Sequence, residues 1–304
     1  MASILVMMSS YNGSDYIRPQ IISIMEQQTD HDISLRIRDD GSKDNTCKII
    51  KELCSCYPGR IELICGNNIG SNASFFDLIN TAEGFDYYAI SDQDDVFLPN
   101  KYDIACNALR ELDNTKPLLF SSTSFLVQDN LVPYGKTREK EREFTIYNTI
   151  IQNICPGHNQ VFNNELLNIL KQVEKPELVY VYDMWITNTA ILYGSVVFTN
   201  EPLSYYRQHN NNLMGTRSGK LGKLFVSCKR LLAGDGDRTR QQIDYFVEMN
   251  KDKLEEKGYY DELKRFLNSR SFVDRWRYIL HSKLYRQTRI ETISFKLAVL
   301  SGKY

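Results

Sequence analysis

Tyr87-Tyr88-Ala89-Ile90-Ser91-Asp92-Gln93-Asp94-Asp95 is the stretch that decides how this chain folds. Its apolar start reads as a buried strand. Its end delivers three carboxylates into a loop, ahead of Val96-Phe97-Leu98-Pro99. Acids packed so closely repel one another, and a buried cluster of them is costly without a counter-charge. A divalent cation relieves that cost, and oxygen ligation suits hard Mg²⁺ or Mn²⁺. Taken alone, the run is equally well a solvated acidic turn. The sequence around it separates the two readings.

Upstream, strand and helix patterns alternate. Residues 3–9 (SILVMMS) form a short apolar strand, and Tyr11-Asn12-Gly13-Ser14 supplies turn chemistry and a helix start. Residues 17–28 place Ile21, Ile22, Ile24 and Met25 on a helical face. Residues 33–38 alternate as a second strand that ends at Asp39-Asp40-Gly41-Ser42. Asp44 or Asn45 is placed to cap the next helix, which carries Ile49, Ile50 and Leu53. A third strand is expected over 60–65, a turn at Asn67-Asn68-Ile69-Gly70, a helix over 75–82 and the fourth strand over 87–90. This rhythm predicts an α/β fold, a mostly parallel sheet with helices on both faces. Ligands bind such sheets at the carboxyl ends of the strands. Asn12, Asp40, Asn68 and Asp92 each fall just past such an end, so one mouth collects them.

Composition narrows the class. The chain has 304 residues, 42% hydrophobic and 25% charged, ordinary values for a soluble globular protein with one large domain and an appendage. No run of about 18 apolar residues suggests a spanning helix. The start lacks a basic segment followed by an apolar core, so no signal peptide is expected. Seven cysteines without a staple-like rhythm fit a reducing cytosol, and Cys54-Ser55-Cys56 lacks the partners of a zinc site. Charge is uneven. Residues 217–304 hold 20 Lys and Arg against 11 Asp and Glu, leaving 17 against 27 in residues 1–216. The break falls at Gly215-Thr216-Arg217-Ser218-Gly219, a linker by composition, so an acidic body carries a basic tail.

The motifs, taken in order, resemble one family. SYNG at 10–13, RDDGSKDNT at 38–46, NNIGSN at 67–72 and SDQDD at 91–95 are similar to successive signatures of the inverting family-2 glycosyltransferases. Farther on, GHNQVFNNELL at 157–167 resembles the family's acceptor-side strand and helix, and VYDMW at 181–185 the segment with the catalytic aspartate. EPLSYYRQHNNN at 201–212 resembles the ending of bacterial rhamnosyltransferase-like members. The resemblance implies a GT-A fold over 1–216, with donor binding in about 1–100 and acceptor binding in about 101–216. It also implies a nucleotide-sugar donor and a divalent metal, Mn²⁺ or Mg²⁺, held through a DxD motif.

Roles follow from this resemblance together with residue chemistry. Ser10, Tyr11, Asn12, Asn68, Gly70 and Gln93 are expected to contact the donor, with Tyr11 near base and ribose or else in the core. Asp40, favoured over Asp39, would accept the imide N–H of uracil or thymine, or else form an Asx-turn or cap. Asp92 would face the ribose or the metal's waters, and Asp94 the metal that bridges the diphosphate, where charge grows as the sugar leaves. Asp95 would cap the following helix or order the loop. Asp183, set between Tyr182 and Met184-Trp185, is the expected general base, because partial desolvation raises its proton affinity. Its alternative is an N-cap for a helix over 184–192. Many members carry a second acid or a histidine where this chain has Tyr182. Arg207 is expected on phosphate, and His209 on metal or phosphate. Gly157 would admit the acceptor or merely turn the chain; Trp185 would stack on a sugar or sit in the core.

The tail reads as helices. Apolar Leu221, Leu224, Phe225, Cys228, Leu231 and Leu232, and later Trp276, Tyr278, Ile279, Leu280, Leu284 and Tyr285, are interleaved with Lys and Arg. Such a segment suits an anionic membrane, a cap on the catalytic domain or a homodimer interface; no nucleic-acid motif accompanies it. The expectation is a cytoplasmic enzyme, peripheral at the inner face of the membrane. It would transfer a sugar, L-rhamnose from dTDP-L-rhamnose first, to a saccharide or lipid-linked saccharide of a surface polysaccharide. UDP-sugar transfer is the alternative within the class, and an inactive nucleotide-sugar-binding scaffold the alternative outside it.

Overall fold

Strand β1 (Ser3–Ser10) is the spine of the sheet. It pairs in parallel with β2 (Asp32–Asp39) on one side and β4 (Tyr87–Ser91) on the other, and β3 (Ile61–Cys65) extends the sheet beyond β2. A computed structural model describes residues 1–208 and 235–304. The second half of the sheet is antiparallel in part. It contains β5 (Val96–Phe97), β6 (Leu118–Val127), β7 (Pro133–Lys136), β8 (Val161–Asn163) and β9 (Ser195–Arg207). Among the described residues the order is β3-β2-β1-β4-β8-β6-β9-β5, with β7 paired to β6. β8 runs antiparallel to both β4 and β6, β9 runs parallel to β6, and β5 antiparallel to β9.

Alternation along the strands divides the core. Ile4, Val6 and Met8 of β1 face one apolar cluster, Leu5 and Met7 the other, because successive strand side chains point to opposite faces. The first cluster is closed by α1 (Ile17–Met25), α2 (Thr46–Cys56) and α4 (Lys101–Arg110). The second takes α3 (Ser71–Thr81), α6 (Asn164–Leu170) and α7 (Tyr182–Tyr193), with short α5 (Ile146–Thr149) between β7 and β8. Five C-terminal helices complete it: α8 (Asp235–Met249), α9 (Lys251–Glu256), α10 (Tyr260–Asn268), α11 (Phe272–His281) and α12 (Arg289–Leu300). Ile243, Phe246, Phe266 and Phe295 are fully buried in this same cluster. The later part of the tail is therefore packed onto the sheet. Leu221–Leu232 and the expected linker lie outside the described residues.

The strands and helices of the first hundred residues match the sequence pattern, with shifts at the ends. α1 stops at Met25, and α3 begins at Ser71 rather than at residue 75. α7 begins at Tyr182, so Asp183 sits inside its first turn; Val181 is the N-cap and makes no side-chain capping bond. That removes the capping role for Asp183. No helix among the described residues is long and apolar enough to cross a membrane.

Candidate active site

Four loops meet at the carboxyl ends of the parallel strands. Asn12 N–H donates to Ser42 Oγ at 2.8 Å, and Asn12 Oδ1 accepts Lys43 N–H at 2.9 Å. Gly13 and Ser14 donate across to Thr46 Oγ1 and Asp44 Oδ2. Asp44 also accepts from the Thr46 amide at the start of α2. Of the two expected caps, it is the one whose side chain bonds the helix start. The loop after β1 is thus stitched to the loop after β2. Gln93 fixes the same loop from the other side: its amide oxygen accepts Tyr11 N–H and its NH₂ donates to Tyr11 C=O, both at 3.0 Å. A Cβ on Gly13 would meet that Gln93 oxygen at 2.1 Å, so any other residue there would push the Gln93 amide aside. Gln93 therefore braces the mouth, and Tyr11, 42% exposed, presents its ring to solvent rather than to the core.

The acids after β2 are supplied with donors. Buried Asp39 accepts from Ser10 Oγ, Ser42 Oγ and Ser42 N–H, so the Ser10 hydroxyl is turned inward as a buttress. Asp40 Oδ1 accepts from buried Arg38 at 2.5 Å and from Ile69 N–H at 2.9 Å; Oδ2 accepts Gly70 N–H at 2.8 Å. A carboxylate oxygen has two acceptor positions, and Oδ2 uses one of them in these bonds. Asn68, Ile69 and Gly70 are exposed beside it. Arg38 went unmarked in the sequence. It also pairs with Asp77 Oδ2 at 2.8 Å and donates to Ser74 and Asn67. The only sequence signal was an arginine at the end of a buried strand, next to two acids.

The acids after β4 are built differently. Asp92 and Asp94 are half-buried, while Asp95 is fully buried. Asp95 does not cap α4, whose N-cap is Asn100. It orders the loop instead, accepting Arg207 N–H at 3.2 Å through Oδ1. Its Oδ2 has no hydrogen-bond partner among the described residues and faces His158 Nδ1 at 3.4 Å. The same Nδ1 lies 3.7 Å from Asp92 Oδ2, so Asp92, Asp95 and His158 converge on one point. Burial, then Asp94 and Asp92, push the Asp95 carboxyl well above the usual range. Burial pushes His158 down, with Asp92 opposing. His158 is held by Ser124 Oγ at Nε2, 2.9 Å away, and by stacking on Tyr206. Beneath it, buried Lys101 donates to the His158 carbonyl and to Asn159 Oδ1 and lies over the Phe97 ring. His158 and Lys101 were missed because their roles depend on strand pairing distant in sequence.

Arg207 departs from its expected role. It is 4% exposed, and it donates through Nε to Asp94 C=O and through Nη1 to Asp129 C=O. Its guanidinium ties the DxD loop to β9 instead of reaching into the mouth. His209 lies outside the described residues. Trp185 is also corrected: it is 2% exposed, stacked on Tyr245 and edge-on to Phe246, and it anchors α8 in the core.

Asp183 lies in the first turn of α7. Its Oδ2 accepts from Asn153 Nδ2 at 2.6 Å and from Gly157 N–H at 3.0 Å, and Oδ1 accepts Met184 N–H at 2.9 Å. Burial dominates these bonds and, with Asp92 adding repulsion, lifts the carboxyl to about 6. A Cβ on Gly157 would meet the Tyr182 hydroxyl at 2.2 Å. Glycine is required there by Tyr182, which itself packs on Phe75 with ring centroids 4.3 Å apart. The first turn of α3 reaches the same region through Asn72, which donates to Tyr180 C=O.

The mouth of the sheet thus holds an acid-rich loop and a buried aspartate of raised proton affinity. Residues 5–170 match the model of glycosyl transferase family 2. The chain belongs to that family. Its fold is GT-A, and it is a glycosyltransferase. It is 29% identical over 222 residues to the dTDP-rhamnosyl transferase RfbG of Shigella flexneri, covering 68% of this chain and 73% of that one. An uncharacterised glycosyltransferase of a Nostoc species is 26% identical, covering 71% and 68%. Among solved structures, S. aureus TarS 1-349 with UDP aligns over 93% of this chain and 76% of its own, with TM-score 0.54 and 16% identity. The mannosyltransferase PcManGT of Pyrobaculum calidifontis, with GDP-Man and Mn²⁺, aligns over 99% and 75%, also with TM-score 0.54, at 13% identity.

Proposed function

We propose that this glycosyltransferase is metal-dependent and inverting, and that it moves L-rhamnose from dTDP-L-rhamnose to a saccharide or lipid-linked saccharide of a surface polysaccharide. The observation that carries the mechanism is Asp183, buried, oriented by Asn153 and Gly157, and raised to about 6. A carboxylate of that affinity is largely ionised at neutral pH, yet basic enough to take a proton as it develops on the attacking hydroxyl. The acceptor hydroxyl loses its proton to Asp183 while its oxygen attacks the anomeric carbon. The bond to the diphosphate breaks on the opposite face, and configuration inverts.

The acid cluster fits a divalent ion: Asp95 Oδ2 is buried without a donor, and Asp92 and His158 converge on it. Asp94 and Asp92 would hold the ion, with Asp95 and His158 behind them and His209 a further candidate. Mixed carboxylate and imidazole ligation favours Mn²⁺ over Mg²⁺. Once bound, the ion supplies positive charge to the leaving diphosphate. On the donor side, the open acceptor position of Asp40 Oδ2 suits the imide N–H of a pyrimidine base, with exposed Tyr11 and Ile69 nearby as apolar surface. The similarity to a dTDP-rhamnosyl transferase favours dTDP-L-rhamnose, and a UDP-sugar presents the same imide. Division into a catalytic part to about residue 216 and a helical part beyond it belongs to this reading, as does peripheral attachment at the cytoplasmic face of a membrane. Homodimerisation through the C-terminal helices is the competing role for that part.

Release of nucleoside diphosphate from dTDP-L-rhamnose, UDP-glucose and UDP-galactose, each with Mn²⁺ or with excess EDTA, tests the proposal. Manganese-dependent turnover of dTDP-L-rhamnose is expected. Turnover of a UDP-sugar alone would replace the donor. Binding without turnover of any sugar would make the chain a scaffold.

A further inference from the structure

We infer that α11 and α12 form a two-helix face that docks on an anionic lipid bilayer through two parallel apolar stripes. Among exposed large hydrophobic residues, Phe272, Val273, Trp276 and Leu280 lie on α11 and Ile290, Ile293 and Leu297 on α12, each about half to two-thirds exposed. At 100° per residue the four on α11 fall within one stripe, and the three on α12 within another. The two helices pack together. Lys296 Nζ donates to Ile279 C=O, while Gly302 lies against the Arg275 guanidinium. These contacts run in opposite order along the two segments, so the pair is antiparallel.

Going round each helix in the same rotational sense, the core side comes first (Tyr278; Phe295), then the junction (Ile279; Lys296), then the stripe. In an antiparallel pair that shared order brings both stripes out on the same side, away from the sheet. An apolar patch of this kind marks an interaction surface.

Charge decides what covers it. Residues 272–304 contain seven Lys and Arg against two Asp and Glu. Both acids are engaged locally: Asp274 accepts from Ser271, and Glu291 pairs with Arg138. Arg277 and Arg289 are exposed on the same two helices, and Lys303 is exposed just after α12. A second copy would set two basic faces against each other, which is unfavourable. An anionic lipid surface accepts both features, with apolar residues and Trp276 entering the headgroup boundary and basic side chains staying at the phosphates. The purpose of such docking, meeting a lipid-linked acceptor, rests on the proposed function; the surface itself does not.

Co-sedimentation of the full chain with vesicles of phosphatidylglycerol and phosphatidylcholine, against phosphatidylcholine alone, tests the inference. Binding is expected to the anionic vesicles at low salt, at least about tenfold above the neutral ones, and to weaken at high salt. Each basic residue near the surface contributes roughly fivefold, so Arg277→Gln and Arg289→Gln together should cost about 25-fold. The triple variant Trp276→Ser, Ile293→Ser, Leu297→Ser should lose binding by at least about tenfold while keeping the wild-type melting temperature and donor binding, since all three side chains are exposed. A chain that ignores anionic vesicles at low salt overturns the inference. So does a concentration-dependent dimer that the serine variant abolishes. Sugar transfer to a soluble acceptor without vesicle binding refutes docking alone; vesicle binding without transfer refutes the activity alone.

Discussion

At the end of β2, Asp39, Asp40 and Asp44 lie among donors supplied by their own neighbourhood, whereas Asp95 and Asp183, across the mouth, are buried beyond what their donors offset. Asp44 shows the first condition: burial pushes it upward, but bonds from Thr46 and Ser14 outweigh burial and hold it at about 2. Asp183 shows the second, with three donors and still about 6. Compensated carboxylates make rigid walls, because nothing is gained by moving or protonating them. Uncompensated ones retain affinity for a cation or a proton, the affinity on which the proposed transfer draws. The contrast can be tested one acid at a time.

The largest effect is expected from Asp94→Ala. A bound cation supplies several kcal/mol of transition-state stabilisation, so steady-state turnover with Mn²⁺ should fall by about a thousandfold or more while the circular dichroism spectrum is kept. Undiminished turnover in this variant would show that the loop needs no cation. Next comes Asp183→Asn, for which turnover should drop roughly 10²- to 10⁴-fold with donor affinity nearly unchanged by calorimetry. In the wild type, the base must be ionised, so kcat/KM should decline about tenfold per unit as pH falls below about 6. A flat profile from pH 5 to 8 would assign the proton elsewhere.

The walls should fail first in stability, with weaker donor binding following where Asp40 is disturbed. Arg38→Met strands Asp40, with both side chains nearly inaccessible to water. Stranding one partner of a buried pair costs about 3–5 kcal/mol, which urea denaturation would read, and Asp40→Asn added to it should recover part of the loss. The smallest effect is expected from Gly157→Ala, whose new methyl meets the Tyr182 hydroxyl. Overpacking of this kind costs about 1–3 kcal/mol, so a melting temperature equal to wild type would mean the helix start yields freely.

How legible these regions were in the sequence differs in the same way. β1, β2, β4 and their helices could be read directly, because parallel strands buried on both faces are apolar runs separated by helical periodicity. β6 and β9 could not. Ser121, Ser122, Thr123 and Ser124 are buried in β6, a polar run that reads as a loop, and the β6–β9 pairing shifts register within it. Asp183 and the acid loop carried their chemistry in local context. His158 and Asn153 acquire theirs from partners 63 to 66 and 30 residues away, distances at which no local pattern speaks. Arg207 and Trp185 misled for the same reason: their surroundings in the chain suggested ligands, and their surroundings in space are backbone carbonyls and aromatic rings.

The contact between Gly13 and Gln93 reaches beyond this one chain. Because a methyl at position 13 would occupy the space of the Gln93 amide, a change at 13 is felt at 93. A descendant that acquires alanine at 13 must swing the Gln93 amide away or shorten it, and either way it forfeits both bonds to Tyr11. Another bridge between the first and fourth loops would have to arise in their place. Substitutions at the pair should therefore appear together across a lineage more often than apart, an inheritance pattern that two separate donor contacts would not produce.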